Sequence, residues 1–379
     1  MARGPDGIDG GAGFSLRDQL FNVDTLSDLA AEYARLPGFD SDLFLTTALH
    51  GLEPLGLMAR LDHIADAIQD QLPQDFSAMA ECLVAAMPAP LDPSLTDNDF
   101  GRFIHAVPGI LAVRHGLERP DQALNLLHSA TQRFSMEFYI RPFLDRWPDD
   151  VLERLADWAE DDNYHVRRLV SEGTRPRLPW GKALRLDPMR AVSLLDQLHA
   201  DPTRYVTRSV ANHLNDLTRK NCAVVVDRVT VWRGAGRQCA KELDWITRHA
   251  LRGAIKRGET GALTVLGYDP DAELTAGLHI SNPTVTMGDA LLFELSLIAP
   301  VAANVLVDYR IRFAGGRTKV FKFATLELKA GVPTTINKRH KLKAEASTFK
   351  LFPGAHRLII QVNGIDRAEG SFDVLGQTI

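Results

Sequence analysis

Between Trp158 and Lys182 the chain reads WAEDDNYHVRRLVSEGTRPRLPWGK, which sets an acid, several guanidiniums and an indole close together. Arg168 and Glu172 are four residues apart, so on a helix they project from one side and can pair. Arg175 and Arg177 follow in a segment that Pro176 and Pro179 bar from being helical, with Trp180 at its end. Two guanidiniums and an aromatic in a stiffened loop suit a partner that carries phosphate. Upstream, Glu137 lies among Phe134, Phe138, Tyr139 and Ile140. Such an acid is either on the solvent-facing edge of a helix or held in a pocket, where burial raises its pKa unless a cation or donors oppose this. A helix with a surface Arg/Glu pair, a basic loop and a core Trp accounts for the same residues without chemistry.

The element that must position these groups is a helix. Asp162 or Asn163 can cap its start, Val166, Leu169 and Val170 form its apolar stripe, and Gly173 supplies the left-handed residue that commonly ends a helix. The helix also belongs to a repeat. His165-Val166-Arg167-Arg168, Tyr205-Val206-Thr207-Arg208 and Trp245-Ile246-Thr247-Arg248 recur every 40 residues, and Leu155 and Leu195 pair in the preceding helices. A two-helix unit of this length predicts HEAT-like repeats stacked into a right-handed α-solenoid with a concave binding face. Arg168, Arg208 and Arg248 then form a ladder. Four residues further on, the repeats carry Glu172, Asn212 and Arg252, so the acid is peculiar to one repeat. Asp216, two turns after Arg208, is placed to reach the same face.

Along the chain, residues 1–15 are rich in Gly and Asp and predict a disordered tail. Residues 16–260 are helical in pattern, with Leu26, Leu29, Ala30 and Tyr33 in one stripe and Leu57, Leu61, Ile64 and Ile68 in another; prolines break the pattern between Met87 and Thr96, and further helices run from Phe100 to Leu117 and Pro120 to Phe134. Residues 261–271 read as a linker. From 272 to 379 the period changes to two: Leu291, Phe293, Leu295 and Leu297 alternate with their neighbours, and Val305, Val307, Tyr309, Ile311 and Phe313 lead through Gly315-Gly316 to a further strand. That spacing predicts an immunoglobulin-like β-sandwich. The fold class is therefore multidomain, α then β. Lys338, Arg339, Lys341 and Lys343 in NKRHKLK extend the basic surface.

Charge is unevenly spread. Residues 1–150 carry 10 basic and 23 acidic side chains, residues 151–260 carry 20 and 14, and residues 261–379 carry 13 and 11. A net charge of −5 thus conceals a basic middle, and screening confines each field to about 10 Å at 0.1 M salt, so phosphate binding stays open. No run of about 18 apolar residues predicts a membrane span, and no signal peptide is apparent. Cys82, Cys222 and Cys239 are too few and too irregular for a disulfide framework or a zinc site. A cytoplasmic monomer is expected.

HVRRLVSEGTRPRLPWG, with EFYIRPFL before it and VTRSVANHLNDL after it, resembles the AlkC branch of the HEAT-repeat alkylation-repair DNA glycosylases, some of which carry a C-terminal immunoglobulin-like domain. The resemblance covers most of residues 16–260. It implies hydrolytic excision of 3-methyladenine and 3-methylcytosine from double-stranded DNA, without full base flipping and with no metal or nucleotide cofactor. It also implies site acids at Glu137, Glu172 and Asp216, with Arg168 and Trp180 beside them; from their places in the loop, the repeats and the basic run, Arg175, Arg177, Arg208, Arg248, Lys338, Arg339 and Lys341 are expected to face DNA or the pocket. In the related AlkD branch an aromatic precedes the site acid by one helical turn; here Arg168 has that place. The residues alone leave two other classes open: a protein that binds damaged DNA without cutting it, and a solenoid that binds protein.

Overall fold

The computed structural model describes residues 15–94, 100–179, 181–343, 345–346 and 349–376, so the expected tail lies almost wholly outside the described residues. Helices come first: α1 Leu16–Leu20, α2 Val23–Tyr33, α3 Ser41–Leu49, α4 Leu57–Gln69, α5 Phe76–Ala86, α6 Val107–Gly116, α7 Pro120–Thr131 and α8 Arg141–Arg146. They continue with α9 Pro148–Trp158, α10 Tyr164–Gly173, α11 Val192–Leu198, α12 Arg204–Leu217, α13 Cys222–Ala235, α14 Ala240–Arg257 and α15 Thr260–Thr264. The strands are β1 Thr275–Ile280, β2 Thr284–Thr286, β3 Ala290–Ile298, β4 Ala303–Arg312, β5 Thr318–Leu328, β6 Thr334–Lys341, β7 Glu345–Ala346, β8 Phe349–Lys350, β9 Gly354–Val362 and β10 Ile365–Leu375.

The chain divides into two compact units: Met1–Asp216 with Gly236–Ile246, and Leu217–Ala235 with Thr247–Ile379. In the first, apolar spacing of helical period sets the core. α2 buries Leu26, Leu29, Ala30 and Tyr33, and α4 buries Leu61, Ile64 and Ile68, as their sequences predict. Leu155 of α9 and Leu195 of α11, 40 residues apart, are both fully buried, which is what stacked repeat units require. Helix lengths differ from the pattern in two places. Pro108 near the start of α6 leaves a 3-10 turn over Phe103–Ala106 in place of continuous helix. α7 stops at Thr131, and Phe134 instead bridges Gly101, whose φ of 69° and approach to the Arg133 carbonyl no side chain would tolerate.

The second unit holds α13, the later part of α14, α15 and the strands. The residues expected to open a linker are helical, since α15 occupies Thr260–Thr264 and buries Ala262 and Leu263. Leu263, Tyr268 and Leu306 pack together with Ile255 and Leu266, which seats these helices against β4. The sandwich has one sheet of order β1-β3-β6 and another of order β2-β10-β9-β4-β5. β3 alternates as predicted, burying Leu291, Phe293, Leu295 and Leu297 against Val305, Val307, Tyr309 and Ile311 of β4. Asn363 and Gly364, at φ 49° and 82°, make the two-residue turn from β9 to β10 that an Asn-Gly pair favours. Among the described residues no helix is long and apolar enough to cross a membrane.

Candidate active site

The site is built outward from α10. Asn163 caps it, its side chain accepting from His165 N at 2.9 Å. Arg168 and Glu172 share one side, with Nη2 and Oε2 3.6 Å apart. Gly173 does not end the helix in a left-handed conformation, as its sequence position suggests. It is the last helical residue, and the cap, Thr174, is right-handed at φ −88°. A Cβ on Gly173 would lie 2.6 Å from Ile140 Cγ2, so glycine is needed here for a close approach of chain, not for a turn. Thr174 Oγ1 closes the helix end by donating to Val170 O at 2.7 Å.

That close approach brings Glu137 to α10. The expected helical setting for Glu137 is not observed: it lies in the turn between α7 and α8, accepts from Ser135 Oγ at 2.6 Å and pairs with Arg168. On the far side of Glu172, Arg175 folds back from the loop. Its Nη1 donates to Glu172 Oε1 at 2.6 Å, and its Nη2 and Nε donate to Asp216 Oδ2 of α12 at 2.9 and 3.0 Å. Glu137, Arg168, Glu172, Arg175 and Asp216 therefore form one row in which acid and base alternate. Three carboxylates and two guanidiniums make up the row, and the buried Arg141 guanidinium stands close enough to interact with Glu137 and Glu172.

This corrects the expectation that Arg175 and Arg177 act together on phosphate. Arg175 is buried within the row, whereas Arg177 is exposed on the loop. Trp180 lies outside the described residues. Of the expected ladder, Arg168 is paired and largely covered, Arg208 on α12 is half-buried, and Arg248 is exposed in the other compact unit, so the three are not equivalent. In β6, Lys338 points to one side of the sheet, with its ammonium near the Phe323 and Tyr309 rings, while Arg339 and Lys341 alternate with it and are not joined to it in one patch.

Electrostatics follow from this arrangement. Burial pushes the Glu172 carboxyl up, but Arg168, Arg175 and the hydrogen bonds from Ser209 and Arg175 outweigh it and leave Glu172 below the usual carboxylate range. Burial acts against the charged form of Arg168 too, yet Glu172 and Glu137 hold it firmly protonated. The Arg168 guanidinium also lies over the Tyr205 ring, 5.0 Å from its centroid, and Tyr205 meets Phe100 edge-on at 5.5 Å. Phe100 is 51% exposed and so carries aromatic surface from the row out to solvent.

Several side chains here escaped the sequence reading. Arg141, at the start of α8, is buried and donates to three carbonyls of the loop: Gly173 O at 3.0 Å, Arg175 O at 2.7 Å and Lys182 O at 2.9 Å. It fixes the backbone from which Arg175 springs. Ser209 Oγ donates to Glu172 Oε2 at 2.6 Å, and His213 Nδ1 lies 3.0 Å from Ser171 O. The repeat register held a signal for both, because Ser209 takes the place of the core residue Leu169, and His213 that of Gly173. A cavity of about 690 Å³ lies on the other flank of the loop, lined by Phe103, Phe138, Tyr139, Arg141 and Lys182 among others; none of the three carboxylates lines it.

Comparison with known proteins places this geometry. The structure of the Pseudomonas fluorescens alkylpurine DNA glycosylase AlkC bound to DNA containing an abasic site analog is similar over 96% of this chain and 100% of that one, at 32% identity and a TM-score of 0.79. A Bacillus subtilis (strain 168) protein described as "Uncharacterized protein YhaZ" is 29% identical over 360 residues, 91% of this chain and 96% of that protein. Residues 275–376 match the family model described as "Uncharacterised protein YhaZ, C-terminal Ig-like domain". Similar to that structure over nearly its whole length, the chain belongs to the AlkC branch of the HEAT-repeat alkylation-repair DNA glycosylases, in the form with a C-terminal immunoglobulin-like domain.

Proposed function

We propose that this chain is a DNA repair glycosylase that hydrolyses the N-glycosidic bond of cationic alkylated bases, 3-methyladenine and 3-methylcytosine, in double-stranded DNA, without full base flipping. The observation that carries this reading is the row Glu137–Arg168–Glu172–Arg175–Asp216, which gathers three carboxylates around a buried Glu172 that is held ionised. N3-alkylation makes the base positive, so the glycosidic bond breaks with its electron pair neutralising the leaving base. The deoxyribose left behind has oxocarbenium character. Carboxylates fixed in this row stabilise both the incoming base and the sugar cation, and normal bases gain nothing comparable from them.

Glu172 is the group assigned to the sugar cation and the attacking water. Its carboxyl is held low, which makes it a weak proton acceptor and a strong fixed anion, so its part is to orient the water and stabilise the cation. The water proton is lost to solvent after the new C1′–O bond forms. Arg168, engaged by both Glu137 and Glu172 and stacked on Tyr205, is placed to hold the carboxylates in position; this contact set favours that role over a grip on DNA phosphate. Tyr205 and Phe100 offer aromatic surface against which sugar or base can pack.

The test is to incubate the protein with DNA carrying 3-methyladenine or 3-methylcytosine and to measure free base and alkali-labile abasic sites. Wild type releases base. Glu172→Gln, which removes the charge and keeps the shape, is expected to lose about 10²–10³ in rate while retaining DNA affinity. Undiminished release by the variant would remove Glu172 from the mechanism, and no release by wild type would favour a protein that binds damage without cutting it.

A further inference from the structure

Glu172 is 5% exposed, and each of its oxygens has its own donor. Oε1 takes Arg175 Nη1 at 2.6 Å, and Oε2 takes Ser209 Oγ at the same distance. Ser209 is itself buried on α12, with its oxygen 3.0 Å from Ser171 Oγ. A hydroxyl has one proton, and an ionised carboxylate can only accept. The Ser209 proton is therefore directed at Glu172, and in the serine pair Ser171 is the donor. Ser171 is in turn held from the other side, since His213 Nδ1 lies 3.0 Å from its carbonyl oxygen. A chain of donors thus runs from α10 to α12 and back to the carboxylate. Its members occupy repeat positions where Leu169 and Gly173 stand one repeat earlier, so α12 gives up an apolar contact to place a hydroxyl there.

We infer that Ser209 is a positioning residue for the glycosylase reaction: its hydroxyl fixes the Glu172 carboxylate between Arg175 and the reacting sugar and helps keep it ionised. The inference rests on the proposed activity. With Oε1 occupied by Arg175 and Arg168 Nη2 standing off at 3.6 Å, the remaining lone pair of Oε2 is the one available to water and the sugar cation. Without the hydroxyl, Oε2 rotates toward Arg168 and that lone pair is lost to the reaction. The charged and titratable groups that face Glu172 are Arg168 on α10, Arg175 in the loop, Arg141 on α8, Glu137 in the preceding turn, and Tyr205, His213 and Asp216 on α12. A change at Ser209 removes none of these groups.

The experiment compares wild type, Ser209→Ala and Ser209→Thr in single-turnover excision of 3-methyladenine from duplex DNA across pH, with DNA affinity and melting temperature measured alongside. The expected result is a roughly 10-fold or greater fall in rate for Ser209→Ala at unchanged DNA affinity, as for a lost charge-assisted donor. The acid limb of its pH–rate profile moves upward, because Glu172 loses a donor that favours its charged form, and Ser209→Thr recovers both rate and limb. A Ser209→Ala variant with wild-type rate and wild-type acid limb would overturn the inference while leaving the glycosylase reading intact. A fall in rate that tracks melting temperature with no shift of the limb would assign Ser209 to packing and overturn it as well. Absence of excision by wild type itself would overturn both.

Discussion

Arg175 Nη1 donates to Glu172 Oε1 at 2.6 Å from only three residues further along the chain, although α10 has ended between them. The contact exists because Thr174 closes the helix on Val170 and Arg141 pins the carbonyls of Gly173 and Arg175, so the loop turns back toward the acid it has just left. A guanidinium in a proline-rich loop thereby becomes an internal counter-charge, shared between Glu172 and Asp216. It removes part of the negative potential that would otherwise build up between the buried Glu172 and the partly buried Asp216.

Replacing Arg175 by Met leaves the buried Glu172 and the partly buried Asp216 without their shared cation. The expected loss of stability is about 3–5 kcal/mol, the usual cost of breaking a buried pair from one side. Urea unfolding monitored through the helical signal measures it. A change below about 1 kcal/mol, the worth of a surface pair, would show that Arg175 is not integral to the row.

Much of this architecture was readable in the chain, and the parts that were not share a cause. The 40-residue register shows the repeat helices, and alternation shows the sandwich, because both depend on which residues are apolar. Glu172, Arg168 and Asp216 could be placed on facing helices by spacing alone. The turn at Glu137 could not, because α7 ends through a long-range bridge between Phe134 and Gly101 that local pattern does not encode. Gly173 departs from its expected role for a similar reason: its lack of a side chain serves Ile140, distant in sequence. Arg175 and Lys338 look alike as loop or strand cations, yet only packing reveals that each is turned inward, one onto carboxylates and the other over aromatic rings.

His213 carries a pH dependence whose sign can be worked out. Burial drives its pKa down from 6.5 to about 4, while the unfolded chain retains the ordinary value. As pH falls below about 6.5 the unfolded state takes up the proton first, so stability declines from there until about pH 4, by roughly 3 kcal/mol at about 1.4 kcal/mol per unit. His340, also lowered to about 4 by burial and by Lys338, adds to the same decline from the sandwich. Glu172 works in a separate window: its folded value is depressed, so its contribution is present above the ordinary carboxylate range and lost only in stronger acid. Melting temperature should therefore fall between pH 6.5 and 4.5 in wild type, and His213→Asn should flatten that slope. An identical slope in the variant would show that His213 titrates normally.

The cations of β6 divide between the two faces of the strand. Lys338 donates to Lys322 O at 3.4 Å, and its ammonium stands 5.6 Å from the Phe323 centroid, whereas Arg339 and Lys341 are exposed on the other side of the strand. If this strand meets DNA, only the outward pair can displace counterions from phosphate. Arg339→Gln and Lys341→Gln are each expected to lower the slope of log affinity against log salt by about one, uniformly across sequences. Lys338→Gln should leave the slope as it is and reduce sandwich stability instead, through the lost contact with the rings. Fluorescence anisotropy with a DNA duplex over about 50–200 mM salt measures all three. Equal slopes for wild type and both outward variants would place the DNA away from β6 altogether, and a slope that fell only for Lys338→Gln would reverse the assignment of its two faces.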